Sequence, residues 1–165
     1  MTARQQLFSR YLPSIKPGRL DWIGLRPARR ENLLVVERAI ALPGLGLEGD
    51  HRCAGSPLSA RQVTLINAEH IQVVASLLGL TSIDPGLLRR NLVVSGINLL
   101  ALRHQQFRIG DVLLEATALC HPCSRMDEML GSGGTAAMLG HGGLCAKILE
   151  GGELNVGDAV VPVIG

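Results

Sequence analysis

For most of its length this chain alternates short apolar runs with glycine-marked breaks. Arg61-Gln-Val-Thr-Leu-Ile66 alternates with period two, the pattern of a strand with one buried face. Leu20-Asp-Trp-Ile23, Leu33-Leu-Val-Val-Glu37 and Asn91-Leu-Val-Val-Ser95 predict further strands, and Asp111 to Leu119 predicts a longer one. Phe107-Arg-Ile-Gly-Asp-Val-Leu-Leu114 and Leu154-Asn-Val-Gly-Asp-Ala-Val-Val161 repeat one arrangement, in which Gly-Asp supplies a tight turn between apolar positions. Gly151-Gly152 predicts a hairpin that returns residues 144–150 into the last strand. Period 3.6 appears once clearly. Asn67 is placed to cap a helix whose apolar stripe is Ile71, Val74, Leu77 and Leu78, with Gly79 as its stop. A second helix is expected over 124–130, because Ser124 is followed three residues later by Asp127.

Strands and helices do not alternate over most of the chain, so a parallel α/β sheet is not expected. Short strands with turn signals and one or two inserted helices predict a mainly β, α+β architecture: a closed or nearly closed β-barrel. The length of 165 residues suits one domain. Residues 1–19 read as a loose arm ahead of a barrel domain at 20–165. Residues 41–59 read as a long glycine-rich loop, the kind that carries function in compact domains.

Composition narrows the function classes. The hydrophobic fraction is 47%, but with one Trp, one Tyr and two Phe the core must be aliphatic. The net charge is only +2, basic runs stop at two residues and aromatic platforms are scarce, so no nucleic-acid partner is expected. The N-terminal segment is polar and the apolar runs are short and interrupted. No secretory leader, membrane span or membrane partner is therefore expected, and the protein is placed in the cytoplasm. In that reducing compartment the four cysteines (53, 120, 123 and 145) point to metal binding or reactivity rather than to a disulfide framework. Lysine occurs only at 16 and 147. The excess of arginine is read mainly as compositional, with forked recognition of phosphate or carboxylate by individual arginines kept open.

The most informative local feature is Cys120-His-Pro-Cys123, set between the end of a predicted strand and the start of a predicted helix. Unpaired N–H groups and the helix dipole at such a start favour thiolate over thiol. A thiolate at Cys123 can ligate a metal, carry sulfur or exchange disulfides. Cys120 offers a redox partner, a second soft ligand or simple packing, although the βαβ context of a thioredoxin-like motif is missing. His121 is open to metal, proton-relay or solvent-exposed roles. His51 and Cys53 would complete a tetrahedral zinc set with the two cysteines, but the ligand spacing is irregular. Cys145 reads as core. His141, in Gly140-His-Gly-Gly143, reads as a histidine on a flexible loop able to close over a site and donate a proton.

The order of the motifs carries more than any one of them. Gly46-Leu-Glu-Gly-Asp-His51, Arg61-Gln-Val-Thr-Leu-Ile66, Arg89-Arg-Asn-Leu-Val-Val94, Phe107-Arg-Ile-Gly-Asp111, Cys120-His-Pro-Cys-Ser-Arg125, Gly140-His-Gly-Gly143 and Leu154-Asn-Val-Gly-Asp158 follow one another over roughly residues 20–163. This series resembles the stand-alone bacterial MOSC domain, named after the C-terminal domain of molybdenum cofactor sulfurase. The resemblance implies a strand-rich barrel that binds molybdenum cofactor (molybdopterin), with the metal on the cysteine matching Cys123. It implies Arg61, Arg90 and Asn91 as cofactor-binding positions. Arg125 beside the cysteine and Asp50 in the loop are added as further candidates, and Cys123, His121 and His141 stand as the catalytic candidates. Relatives reduce N-hydroxylated compounds, or are held to carry sulfur as a persulfide. The chain has no flavin or iron–sulfur motif, so a small-molecule substrate and an external electron-donor or sulfur-donor protein are expected. A non-catalytic cofactor-binding module is the third expectation. Pyridoxal phosphate enters through family association alone, because no lysine lies in a motif suited to a Schiff base.

Overall fold

A computed structural model describes residues 1–165. Strands β1 (Gly18–Leu25), β5 (Val63–Asn67), β6 (Leu92–Ser95), β7 (Gln106–Ile109), β8 (Val112–Leu119), β9 (Leu144–Glu150) and β11 (Ala159–Pro162) form a seven-stranded barrel. Its order is β11-β7-β8-β9-β5-β6-β1, and it closes where Gly18 and Arg19 of β1 pair with Val160 and Ala159. A short β2 (Leu34–Val36) extends the sheet beyond β1. Every neighbouring pair in the barrel is antiparallel except β5–β6. A parallel pair needs a long crossover. Here α2 (Ala68–Leu77) and the 3-10 turn Pro85–Leu88 supply it. No helix is long and apolar enough to cross a membrane.

The barrel encloses an aliphatic core in which Leu20, Leu65, Leu92, Leu99, Phe107, Ile109, Leu114 and Leu144 are sealed from solvent. A second cluster lies outside β5 and β6, beneath α2, α3 (Arg125–Leu130) and α4 (Gly134–Met138). Ile71, Val74 and Ala75 face it and Leu78 packs at its edge. These positions follow i, i+3, i+4, i+7, and Leu77 falls off the stripe and is 62% exposed. Asn67 occupies the N-cap position without capping. Its side chain instead donates to Ile97 O and accepts from Leu99 N, tying β5 to the segment after β6.

Three expectations change at the chain's turns and ends. The arm is not loose: Thr2 and Gln5 form a capping box on α1 (Ala3–Ser9), Leu12 enters the core, and Gln105 donates to Gln5 O. Gly151-Gly152 does not fold β9 back on itself. β10 (Gly152–Asn155) leaves the barrel and pairs with β3 (Arg38–Leu42), which also pairs with β4 (Gly46–Leu47) in a small second sheet. A glycine is needed at 151 because a β-carbon there would approach Ala41 O to 2.5 Å. The Gly140–Gly143 segment is a wedge, not a lid. Gly143 has φ +87°, and β-carbons at 142 and 143 would collide with the carbonyl oxygens of Cys120 and Leu65.

Candidate functional site

Where β1 ends and β6 begins, the rim of the barrel holds a buried polar node. Asp50 follows the loop after β4 and caps the 3-10 turn His51–Ala54 by accepting from Arg52 N at 3.0 Å. Its other oxygen accepts from Arg26 N, Arg26 Nε and Asn91 Nδ2 at 2.9, 3.3 and 2.8 Å. Burial alone would raise the carboxyl pKa. The N–H groups of Arg26 and Arg52, the Arg26 charge and the Asn91 amide outweigh it and hold the group below its ordinary value. Asn91 is fully buried. It donates to Gly24 O and accepts from Thr64 and the Arg26 guanidinium, so one amide joins β1, β5, β6 and the Asp50 loop. Asp50 and Asn91, both candidates for cofactor contact, therefore have their polar atoms engaged by the framework.

Arg90 acts similarly one residue earlier. It is buried, and its fork donates to Gly142 O, Leu88 O and Cys120 O, clamping the glycine wedge to the Cys120–Cys123 segment. Cys120 is itself buried and turned toward Cys145, which is buried on β9. The neighbouring Cys145 lowers the Cys120 pKa against the opposing effect of burial, with Arg90 and Arg61 adding to the lowering, and Cys145 is pushed up as the partner that keeps its proton. The C-x-x-C thus splits. Cys120 belongs to a buried thiol pair, and Cys123 is exposed.

Cys123 opens onto a cleft of about 190 Å³ lined by Arg26, Arg29, His51, Arg52, Arg61, Arg89, Arg90, Arg125 and Met126. Seven of the chain's fourteen arginines stand around one thiol. The arginine excess that reads as composition in the sequence is concentrated here by the fold. Among the seven, only Arg26 has an ion-pair partner, Asp50. The buried Nε atoms of Arg52 and Arg61 lack any hydrogen-bond partner. Arg89 sits in the left-handed region at φ +60° and donates to Glu31 O, a conformation rare for residues other than glycine. Burial, and then repulsion from neighbouring guanidinium groups, lowers the pKa of Arg52 and Arg89. The same two causes, with Arg26 the largest of the repelling cations, lower that of His51, and Asp50 only partly offsets them. A concave cluster of cations, six of the seven without an ion-pair partner and two with orphaned donors, has the chemistry to take an anion.

The helix start beside Cys123 lacks its expected cap. Ser124 lies in helical conformation and makes no side-chain cap bond, while Asp127 accepts from Thr135 N of α4. His121 is exposed and lines a separate small cavity with Pro122, Gly140 and Gly142. His141 stacks edge-on against His70, with ring centroids 5.3 Å apart, and its Nδ1 is buried without a partner. Neither histidine lines the Cys123 cleft. No group of three or more His, Cys, Asp or Glu side chains is placed to hold a metal ion, and Cys53 donates its thiol to Leu47 O. The zinc set therefore does not assemble. Of the residues singled out in the sequence, the cleft brings together Cys123, Arg61, Arg90, Arg125 and His51. It adds Arg26, Arg29, Arg52 and Arg89, whose only signal was the unusual preference for arginine.

The MOSC domain family model matches residues 50–161, as the motif series implied. The YuaD protein from Bacillus subtilis has a solved structure similar to this one, with a TM-score of 0.74 at 17% identity, covering 88% of this chain and 95% of that one. YiiM from Geobacillus stearothermophilus gives 0.71 at 14% identity over 88% and 75% of the two chains. YiiM from Escherichia coli gives 0.67 at 18% identity over 88% and 69%. At these identities the likeness speaks for the barrel fold. No curated protein matches the sequence.

Proposed function

The chain belongs to the MOSC domain family, and from that premise we propose that it binds molybdenum cofactor through the Cys123 cleft, with the thiolate as the metal ligand. The observation that carries the reading is the coincidence of one exposed thiol with seven arginines in a single cleft. The donor chemistry fits the charged part of the group. A soft thiolate suits the metal, and the orphaned guanidinium N–H groups of Arg52 and Arg61 suit an oxyanion. At about 190 Å³ the cleft accounts for that charged part and not for a whole pterin. When bound, the cofactor would supply oxygen-atom abstraction from an N-hydroxylated small molecule, with electrons returned by an external donor protein.

The chain's own residues would work as follows. Arg61, Arg52 and Arg125 hold the anionic group by charge-assisted hydrogen bonds. Arg90, fixed on three carbonyls, keeps the Cys123 segment and the glycine wedge in register. The Asp50–Asn91–Arg26 node holds the opposite wall. His51, whose lowered pKa favours the neutral ring at pH 7, stands at the cleft beside Cys123 as a group able to accept a proton there.

The test is molybdenum and pterin content per chain after expression in a host that makes the cofactor, wild type beside Cys123→Ser. Near-stoichiometric metal that is lost in the variant supports the proposal. Equal metal in both proteins, or none in either, overturns it. A second reading, sulfur carriage as a persulfide on Cys123, is favoured by the burial of Cys120 against Cys145. The neighbouring thiol of the C-x-x-C is thereby kept from discharging a persulfide. Cofactor bound without turnover of any N-hydroxylated compound would instead identify a non-catalytic module.

A further inference from the structure

The Cys123 cleft is smaller than most organic-ligand pockets, which run from about 300 Å³ upward, yet it is denser in positive charge than any single cofactor phosphate requires. The guanidinium groups of four of its arginines (29, 52, 61 and 125) donate to no protein acceptor. Volume and charge together describe a small, multiply charged oxyanion held directly against a thiol. The remaining chemistry selects among such anions. A phosphate ester would need a general acid to protonate its leaving oxygen, and the cleft is poor in such groups: no carboxyl side chain lines it, everything apart from Cys123, His51 and Met126 is arginine, and the His51 ring is biased toward its neutral form. The anion that reacts here must therefore lose a group that departs as an anion without a proton, stabilised by guanidinium N–H donors.

We propose that Cys123 is a sulfurtransferase nucleophile that takes sulfane sulfur directly from thiosulfate, with no desulfurase partner. The Cys123 thiolate attacks the outer sulfur of thiosulfate. A sulfur–sulfur bond forms on Cys123, the sulfur–sulfur bond within thiosulfate breaks, and its electron pair leaves with sulfite. Thiolate and thiosulfate dianion become persulfide anion and sulfite dianion, so charge, atoms and electrons balance with no added oxidant or reductant. Arg61, Arg52 and Arg125 face the cleft in which the sulfonate oxygens bind and the sulfite charge collects. Cys120 does not compete for the persulfide, because it is buried and paired with Cys145. The persulfide is then open to an external acceptor; cyanide, used as a probe, would leave as thiocyanate and regenerate the thiolate. This activity rests on the persulfide reading of Cys123 and names its sulfur source; it uses the same thiol as cofactor binding but needs no cofactor, so the cofactor reading is measured separately.

The experiment uses the full-length chain made in cells unable to make the pterin, with circular dichroism matched between wild type, Cys123→Ser, Arg61→Gln and Arg38→Gln. Thiosulfate is added; sulfite release and the gain of one sulfur atom on the Cys123 peptide are followed, and then thiocyanate formation on adding cyanide. The expected result is one sulfite per chain, sulfur on Cys123 alone and no reaction in Cys123→Ser. The rate should fall about 10- to 100-fold in Arg61→Gln, as for loss of a hydrogen bond to a charged group, and not at all in Arg38→Gln. Iodoacetamide, an uncharged electrophile, should alkylate Cys123 in Arg61→Gln with a smaller loss than thiosulfate shows, which separates anion binding from a changed thiol. Absence of sulfite release, sulfur on another cysteine, or equal losses toward both reagents would overturn the proposal. Molybdenum content of protein from a cofactor-competent host tests the cofactor reading separately.

Discussion

Replacing Asp50 by Asn removes one charge and no volume, and it tests whether the rim is held together by that carboxylate. Asp50 and Arg26 form an ion pair at 3.3 Å with side chains only 2% and 6% exposed. One carboxylate oxygen takes three donors, and the other takes a backbone N–H. In Asp50→Asn, at least one donor faces an amide NH₂ and the buried guanidinium loses its counter-charge. Breaking a buried pair from one side costs about 3–5 kcal/mol. For a domain of this size each kcal/mol shifts the melting temperature by about 2–4 °C, so the expected loss is roughly 6–20 °C. Urea and thermal unfolding at pH 7 would measure it. The pH dependence adds a check on cause. The folded pKa of Asp50 lies below its ordinary value of 3.8. Its contribution is therefore complete above that value and is lost as pH falls through the folded pKa. The gap between wild type and Asp50→Asn should be constant near neutrality and close as pH drops below about 4. A variant within about 1 kcal/mol of wild type at pH 7, or a gap that does not narrow in acid, would refute the assignment.

Three further outcomes follow from the geometry. Gly143→Ala combines φ +87° with a β-carbon placed on Leu65 O, so it should lose more than the roughly 1 kcal/mol of an ordinary substitution and fail to accumulate as folded protein, read by soluble yield and circular dichroism. Leu88→Ala, fully buried beneath the helices, should cost about 2–5 kcal/mol in urea, whereas Leu77→Ala, on the exposed side of α2, should stay within about 0.5 kcal/mol. Inorganic phosphate at 100 times its dissociation constant should stabilise wild type by about 2.7 kcal/mol in thermal unfolding, with a smaller gain in Arg61→Gln; equal gains in both would place the anion elsewhere.

The barrel was legible in the sequence because its signals are local. Period two, Gly-Asp turns and the α2 stripe each report on a few neighbouring residues, and the barrel strands lie within a few positions of where they are expected, whereas β3 and β4 of the small sheet fall where no strand is expected. The misreadings arise where a tertiary contact decides. Gly151 reads as a turn, but it serves the close passage of one backbone over Ala41. The glycines at 142 and 143 read as flexibility, yet they are the only residues that fit between β5 and Cys120. α4 gave no signal, being five residues long and opened by glycines. At the site, Cys123 was visible as part of a C-x-x-C, but its separation from Cys120 depends on Cys145, supplied by another strand. Asp50 and Asn91 meet across 41 positions, so nothing near either residue in the chain announces the other.

The two kinds of arginine in the rim explain how so much like charge can be gathered. Arg26 and Arg90 are buried and fully engaged, one by Asp50 and Asn91 and the other by three carbonyls. They carry charge, but their role is to fix β1, β6, the glycine wedge and the cysteine segment relative to one another. Arg29, Arg52, Arg61 and Arg125 stand on that frame with their guanidinium groups lacking protein acceptors. Burial, and then repulsion from Arg61 and Arg26, depresses the pKa of Arg52, so holding its charge in the cleft is a cost of the folded state. An anion bound in the cleft would remove part of that cost and gain charge-assisted hydrogen bonds at once, with the buried pair holding the cleft ready for it. The same frame places Cys123 at the mouth of this arginine cluster, so an anion that reaches its sulfur would keep its negative charge where the arginines stand.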